Sequence, residues 1–199
     1  MSEPRIGRVL VASLHHAIAE VLPDRLEFYE NWLSGSGLRS GTIGLAPLLA
    51  VLSFLRGEGE VYRDVVARAG QCAADWTVAD LSVLERQFVR ALPIRWRTRA
   101  ALRTGRGLVR TTYPGSRAIV LAGKENTSVD VRGSLFCETR QASVQPLCGY
   151  YAAAISRVFE RFGVPAEVRL GTCRAAGGGQ GCMMSVVNRD PSPAAAPEG

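Results

Sequence analysis

Three cysteines crowd the stretch from Leu147 to Val187: Cys148, Cys173 and Cys182. Thiolates are nucleophiles and soft metal ligands, so the chemistry open to them is covalent catalysis, redox exchange or metal binding. A helix start at Cys148 would lower its thiol pKa, but neither His15 nor His16 can be argued into its neighbourhood to serve as a base. The five cysteines contain no Cys-x-x-Cys, so an iron–sulfur spacing is missing. Two readings stay open: buried free thiols that close an interface, or a metal held by Cys148, Cys173 and Cys182. Structural zinc takes four ligands from Cys, His or carboxylate, so a metal would need a fourth from Cys137, Glu138 or Glu167. Strand alternation places Glu167, Arg169, Gly171 and Cys173 on one face with Glu167 roughly 20 Å from Cys173, which makes Cys137 the better completion.

The elements around these residues follow from periodicity. Leu147, Tyr151, Ala154, Ile155, Val158, Phe159 and Phe162 recur at helical spacing, Pro146 precedes them and Gly163 ends them, which predicts a helix over Cys148 to Gly163. Strands are expected over Ala166 to Arg174 and Cys182 to Val187. Ala175 to Gly181 joins them through Gly177, Gly178 and Gly179, read as a hairpin turn rather than a phosphate cradle because no helix follows.

Before this segment the chain begins as helices: an amphipathic Ile6 to Leu22, a short Asp24 to Leu33, then Ile43 to Leu55 and Gly59 to Trp76, with Ser34 to Gly41 as a loop. Thr77 is expected to cap a helix from Val78 to Leu92, and Pro93 to start another ending near Gly105. Leu108 to Tyr113, Arg117 to Ala122 and Ser128 to Phe136 are rich in β-branched and aromatic residues and read as antiparallel strands, with turns at Pro114-Gly115 and Lys124 to Asn126. The fold class is therefore α+β, helices over one face of an antiparallel sheet, in one ligand-binding domain over 1–187. Residues 188–199, rich in proline and small residues, read as a disordered tail.

The segment "QPLCGYYAAAISRVFERFGVPAEVRLGTCRAAGGGQGCMMSVV" resembles the 4-vinyl-reductase domain family, itself related to the transport-particle (TRAPP) subunits and to aromatic-sensor domains. The resemblance covers about a quarter of the chain. It implies a TRAPP-like fold, a homodimer and a hydrophobic small-molecule ligand. In metal-bearing members the ligands correspond to Cys148, Cys173 and Cys182 with a Glu three residues before the middle Cys; that position here is Leu170. The bacteriochlorophyll-synthesis branch is the better match, since no ATPase or DNA-binding segment accompanies the domain. The implied role is a carrier or accessory protein that binds a porphyrin or chlorophyll precursor, with tetrapyrrole-synthesis enzymes as further partners. The alternatives are a zinc-containing aromatic-compound sensor, or a vinyl reductase using an external electron donor.

The formal charge is +6, and of 24 Lys and Arg residues only Lys124 is lysine. Arg86, Arg90, Arg95, Arg97, Arg99, Arg103, Arg106, Arg110 and Arg117 lie in a region whose only acid is Glu85. This is either a solvated helix face or an anion-facing surface, with Arg95, Arg97, Arg99 and Arg103 as candidate ligand contacts. The anion would be a carboxylated ligand, an acidic protein, an anionic membrane or nucleic acid, the last disfavoured because no nucleic-acid-binding signature accompanies the charge.

His15 and His16 point about 100° apart on a helix and cannot share a site from one face. Trp32, Trp76, Trp96, Tyr150 and Tyr151 are either core or the walls of a flat apolar pocket. Cys72 reads as a small buried residue. No dinucleotide fingerprint, phosphate loop, nucleophile elbow or His-Glu-x-x-His occurs, so a binding role is favoured over an enzyme. The absence of an export signal and of a spanning apolar run suggests a cytoplasmic protein with reduced thiols.

Overall fold

The computed structural model describes residues 6–33, 44–123, 127–139 and 142–188. The expected loop at Ser34 to Gly41, the turn at Lys124 to Asn126 and the tail beyond Asn188 lie outside the described residues. Seven helices and four strands occur among those described. They are α1 (Arg8–Val21), α2 (Leu26–Leu33), α3 (Leu45–Gly57), α4 (Val61–Ala79), α5 (Val83–Ala91), α6 (Ile94–Thr112), β1 (Arg117–Ala122), β2 (Thr127–Arg132), α7 (Gly149–Arg161), β3 (Ala166–Thr172) and β4 (Gly181–Asn188). The fold is α+β: helices packed on an antiparallel sheet of strand order β1-β2-β4-β3.

Alternation sorts the sheet. Val129, Val131, Cys182, Met184, Val168 and Ala166 are buried on the face toward the helices, while Arg117, Leu121 and Arg169 point away. On the helical side, α1 buries Leu10, Leu14, Ala17 and Ile18, a stripe one helix-width across. That stripe is buried inside the chain against α4. The central pair is α4 against α7, and Gly70 is what lets them meet: a Cβ there would stand 2.2 Å from the Tyr150 carbonyl oxygen. Phe136, Tyr150 and Tyr151 interlock beneath the helix start, Phe136 stacked on Tyr150 at 4.8 Å and Tyr150 edge-on to Tyr151 at 5.3 Å.

Three boundaries differ from expectation. Thr77 does not cap a helix; α4 runs through it, and its hydroxyl donates back to the Ala73 carbonyl at 2.7 Å. The cap of α5 is Ser82, whose hydroxyl accepts from the Glu85 amide while the Glu85 carboxylate accepts from the Ser82 amide. The expected strand Leu108 to Tyr113 is the last part of α6, which continues past Gly105. Ala101, Gly105, Leu108, Val109 and Thr112 form its buried stripe, and a Cβ at Gly105 would lie 3.1 Å from Ile155, so packing on α7 overrides local propensity. The strand expected to end at Phe136 stops at Arg132, and Leu135–Cys137 forms a single 3-10 turn.

Candidate metal centre and adjoining cleft

Four short elements each deliver one thiol to the same point. Cys148 is the N-cap of α7, Cys137 ends the 3-10 turn after β2, Cys173 follows β3, and Cys182 lies on the inner face of β4. All four are buried and free. Their sulfurs lie within 4.8 Å of one another. Cys137 is 3.5 Å from Cys173 and 3.3 Å from Cys182, and Cys182 is 3.9 Å from Cys173. These separations far exceed the roughly 2.05 Å of a disulfide. They lie near the roughly 3.8 Å edge of a tetrahedron around one ion with metal–sulfur bonds of roughly 2.3 Å, and the whole set is compact enough to share one ion.

The hairpin loop is shaped around this point. The Gly178 amide donates to the Cys173 carbonyl at 2.8 Å, and a Cβ on Gly178 would stand 2.7 Å from Cys173 backbone atoms, so no larger residue fits without displacing the ligand. Gly177, at φ 83°, turns the chain back. The Leu147 amide donates to the Cys173 sulfur at 3.4 Å, the kind of outer-shell bond that orients a ligating thiolate.

Thiol hydrogen bonding within the cluster divides the protons unevenly. Bonds from Cys148 first, and also from Cys182, hold Cys137 below the ordinary thiol range, and bonds from Cys137, Cys148 and Cys182 pull Cys173 far below it. Cys148 and Cys182 are pushed up because their protons are held in those bonds, first to Cys137 in both cases. Four thiols packed this closely in a buried volume form a set that a cation could bind on deprotonation.

Cys148, Cys173 and Cys182 thus come together, and Cys137 supplies the fourth sulfur. The other substitutes do not: Glu138 pairs with Arg174 at 3.1 Å, and Glu167 pairs with Arg169. The reading that put Cys173 on the face of Glu167 and Arg169 is corrected by a β-bulge between Leu170 and Thr172, which shifts the register by one residue and turns Cys173 inward. Leu170, at the position where metal-bearing relatives carry Glu, pairs with Met184 on the helix side of the sheet.

Beside the centre lies a cleft of about 900 Å³, walled by α3, the start of α4 and residues 138–139 and 142–147. Leu49, Ala50 and Leu147 give it apolar surface; Arg56, Tyr62 and Glu138 give it polar groups. Leu147 joins cleft and centre, its amide on Cys173 and its carbonyl accepting from Tyr62 Oη at 2.7 Å. Burial, the largest cause, pushes Tyr62 above the ordinary phenol range, so it stays a donor. Arg56 Nη2 donates to the Phe136 carbonyl at 3.0 Å, while its buried Nε has no partner among the described residues.

The residues expected to contact a ligand sit elsewhere. Arg95, Arg97, Arg99 and Arg103 lie on α6; Arg97 donates to the Gly163 carbonyl at 2.9 Å and Arg99 lies over Trp96 at 5.0 Å. Trp32, Trp76 and Trp96 are exposed, and Tyr150 and Tyr151 fill the core. His15 bonds Glu30 at 2.9 Å and His16 lies 3.5 Å from Glu20, so neither imidazole reaches the cleft.

No protein-family model matches the chain, and no curated protein matches it significantly. Among solved structures it is similar to that of a point mutant of the Fe(II) unliganded H-NOX protein from K. algicida. The identity is 14%, the TM-score 0.57, and the match covers 94% of this chain and 98% of that one. At that identity the likeness is one of fold, over nearly the whole length of both chains. No described helix is long and apolar enough to cross a membrane.

Proposed function

We propose that the chain is a small-molecule-binding domain whose cleft is held in shape by one zinc ion on Cys137, Cys148, Cys173 and Cys182. The observation that carries this reading is the junction at Leu147, where one residue lines the cleft, bonds a metal-ligand sulfur and is gripped by Tyr62. Four sulfurs at tetrahedral spacing suit zinc, whose role in a closed four-thiolate shell is structural. The related fold of an iron-containing H-NOX protein supports a domain that encloses a small guest.

The guest we propose is a flat, apolar, carboxylate-bearing molecule of the tetrapyrrole class, carried rather than transformed, as the resemblance to the bacteriochlorophyll-synthesis branch implies. A cleft of about 900 Å³ has the size of a small-molecule site, and its apolar wall with one guanidinium suits a carboxylated ring. Arg56, not the arginines of α6, is the anion contact in this account; its Nε is a buried donor without a partner among the described residues.

Titration of the purified protein with protoporphyrin, its magnesium complex and a series of phenols, followed by tryptophan quenching, tests this. Saturable porphyrin binding should weaken roughly tenfold or more in Arg56→Gln, the scale of one charge-assisted hydrogen bond. Binding of phenols alone would favour an aromatic sensor, and turnover of a divinyl substrate with NADPH a reductase; either would overturn the carrier reading.

A further inference from the structure

The arginines of α6 are left over from the cleft, and their arrangement is ordered. Arg95, Arg99, Arg103, Arg106 and Arg110 are all exposed and recur at i, i+4, i+8, i+11 and i+15. At 100° per residue they share one arc of the helix, opposite the buried stripe of Ala101, Gly105, Leu108 and Val109, and span about 22 Å. No carboxylate among the described residues pairs with any of the five. The sequence holds no Asp or Glu from Arg86 to Lys124, and Glu85 is engaged in the α5 cap.

Apolar groups accompany the charge. Trp96 borders the arginine arc, 46% exposed with the Arg99 guanidinium over its ring. On the preceding helix, Leu84 and Phe88 stand one turn apart and are 77% and 67% exposed. No residue of α5 is buried, an unusual state for a helix with so marked an apolar side. Between α5 and the ends of α4 and α7 lies a hollow of about 380 Å³ that includes Arg86, Arg90 and Arg161.

We infer that α5 and α6 form a docking face for an anionic lipid bilayer surface. Phosphate headgroups would meet the arginine row, Trp96 would sit at headgroup depth, and Leu84 and Phe88 would enter the acyl boundary. A soluble acidic protein would answer the charge, but it gives no reason for a tryptophan at the edge of a cationic row that meets no carboxylate among the described residues, or for an exposed Leu–Phe stripe on the adjoining helix. The protein would then bind membranes peripherally; no described helix is long and apolar enough to span one.

Flotation of the full chain with vesicles tests the inference. Vesicles of equal parts phosphatidylcholine and phosphatidylglycerol should carry the protein upward, and phosphatidylcholine alone should not. Added salt should release it. Arg99→Glu/Arg103→Glu/Arg106→Glu should lower partitioning roughly a hundredfold or more, since each arginine near such a surface is worth about fivefold. Leu84→Ser/Phe88→Ser removes the apolar component without touching the core and should also lower partitioning, with unchanged circular dichroism and thermal midpoint. Equal partitioning onto neutral and anionic vesicles, or undiminished partitioning of both variants, overturns the inference. Binding to soluble polyglutamate without binding to anionic vesicles overturns it in favour of an acidic partner.

Discussion

Of the four thiols in the proposed centre, Cys173 is the most completely built into its surroundings: three neighbouring sulfurs, the Leu147 amide and the Gly178 loop all address it. Replacing it with serine should release the metal and lower the thermal midpoint by on the order of 10 °C or more, because a buried cluster loses both its ion and its charge balance. A fall of only a few degrees with metal retained would count against a four-thiolate centre. Gly178→Ala should act in the same direction without altering any thiol, since the added methyl displaces the Cys173 backbone; an unchanged midpoint would show that the loop yields. Three of the four converging thiols were legible in the sequence as cysteines near predicted element ends. Cys137 was visible only as an alternative, because a 3-10 turn after a strand has no periodic signature. The facing of Cys173 was misread because a bulge at one residue reverses the alternation on which any strand reading depends.

Between elements, α4 and α7 are locked at the surface by Asp75, whose carboxylate accepts from Arg157 Nε at 2.8 Å and Arg161 Nε at 2.6 Å. Partial burial raises the Asp75 pKa, but the two guanidiniums outweigh it and hold the group below its ordinary 3.8. A carboxyl depressed in the folded state adds stability that is complete above about pH 4 and is lost as the pH falls through the lowered native value. Asp75→Asn should therefore reduce stability at neutral pH and flatten the loss on acidification. Chemical denaturation across the acid range measures this, and an acid limb identical to that of the parent would contradict it. Most helices were legible from their apolar stripes. The Ser82-x-x-Glu85 capping box was readable too and marks the start of α5 better than Thr77. The extension of α6 was not readable, because Gly105 and the β-branched run after it argue locally against a helix and only Ile155 packing decides otherwise.

Across the whole molecule, the proposed centre would tie residues 142–147 to the sheet and α7 through the Leu147 amide on Cys173, and so hold one wall of the cleft while standing outside it. Removal of the metal with a chelator under reducing conditions should lower both thermal stability and affinity for the cleft ligand. The α+β class and the antiparallel sheet were legible from the alternation of patterns along the chain. The cleft was not, since its walls come from α3, α4 and a turn segment more than 80 residues later in the chain, as in the Tyr62–Leu147 bond. Metal content, measured on untagged purified protein and on Cys137→Ser, tests the central claim most directly. The account predicts one zinc per chain in the parent and its loss in the variant. A parent free of zinc after expression in zinc-supplemented medium, or a Cys137→Ser variant that retains a full equivalent, would contradict it.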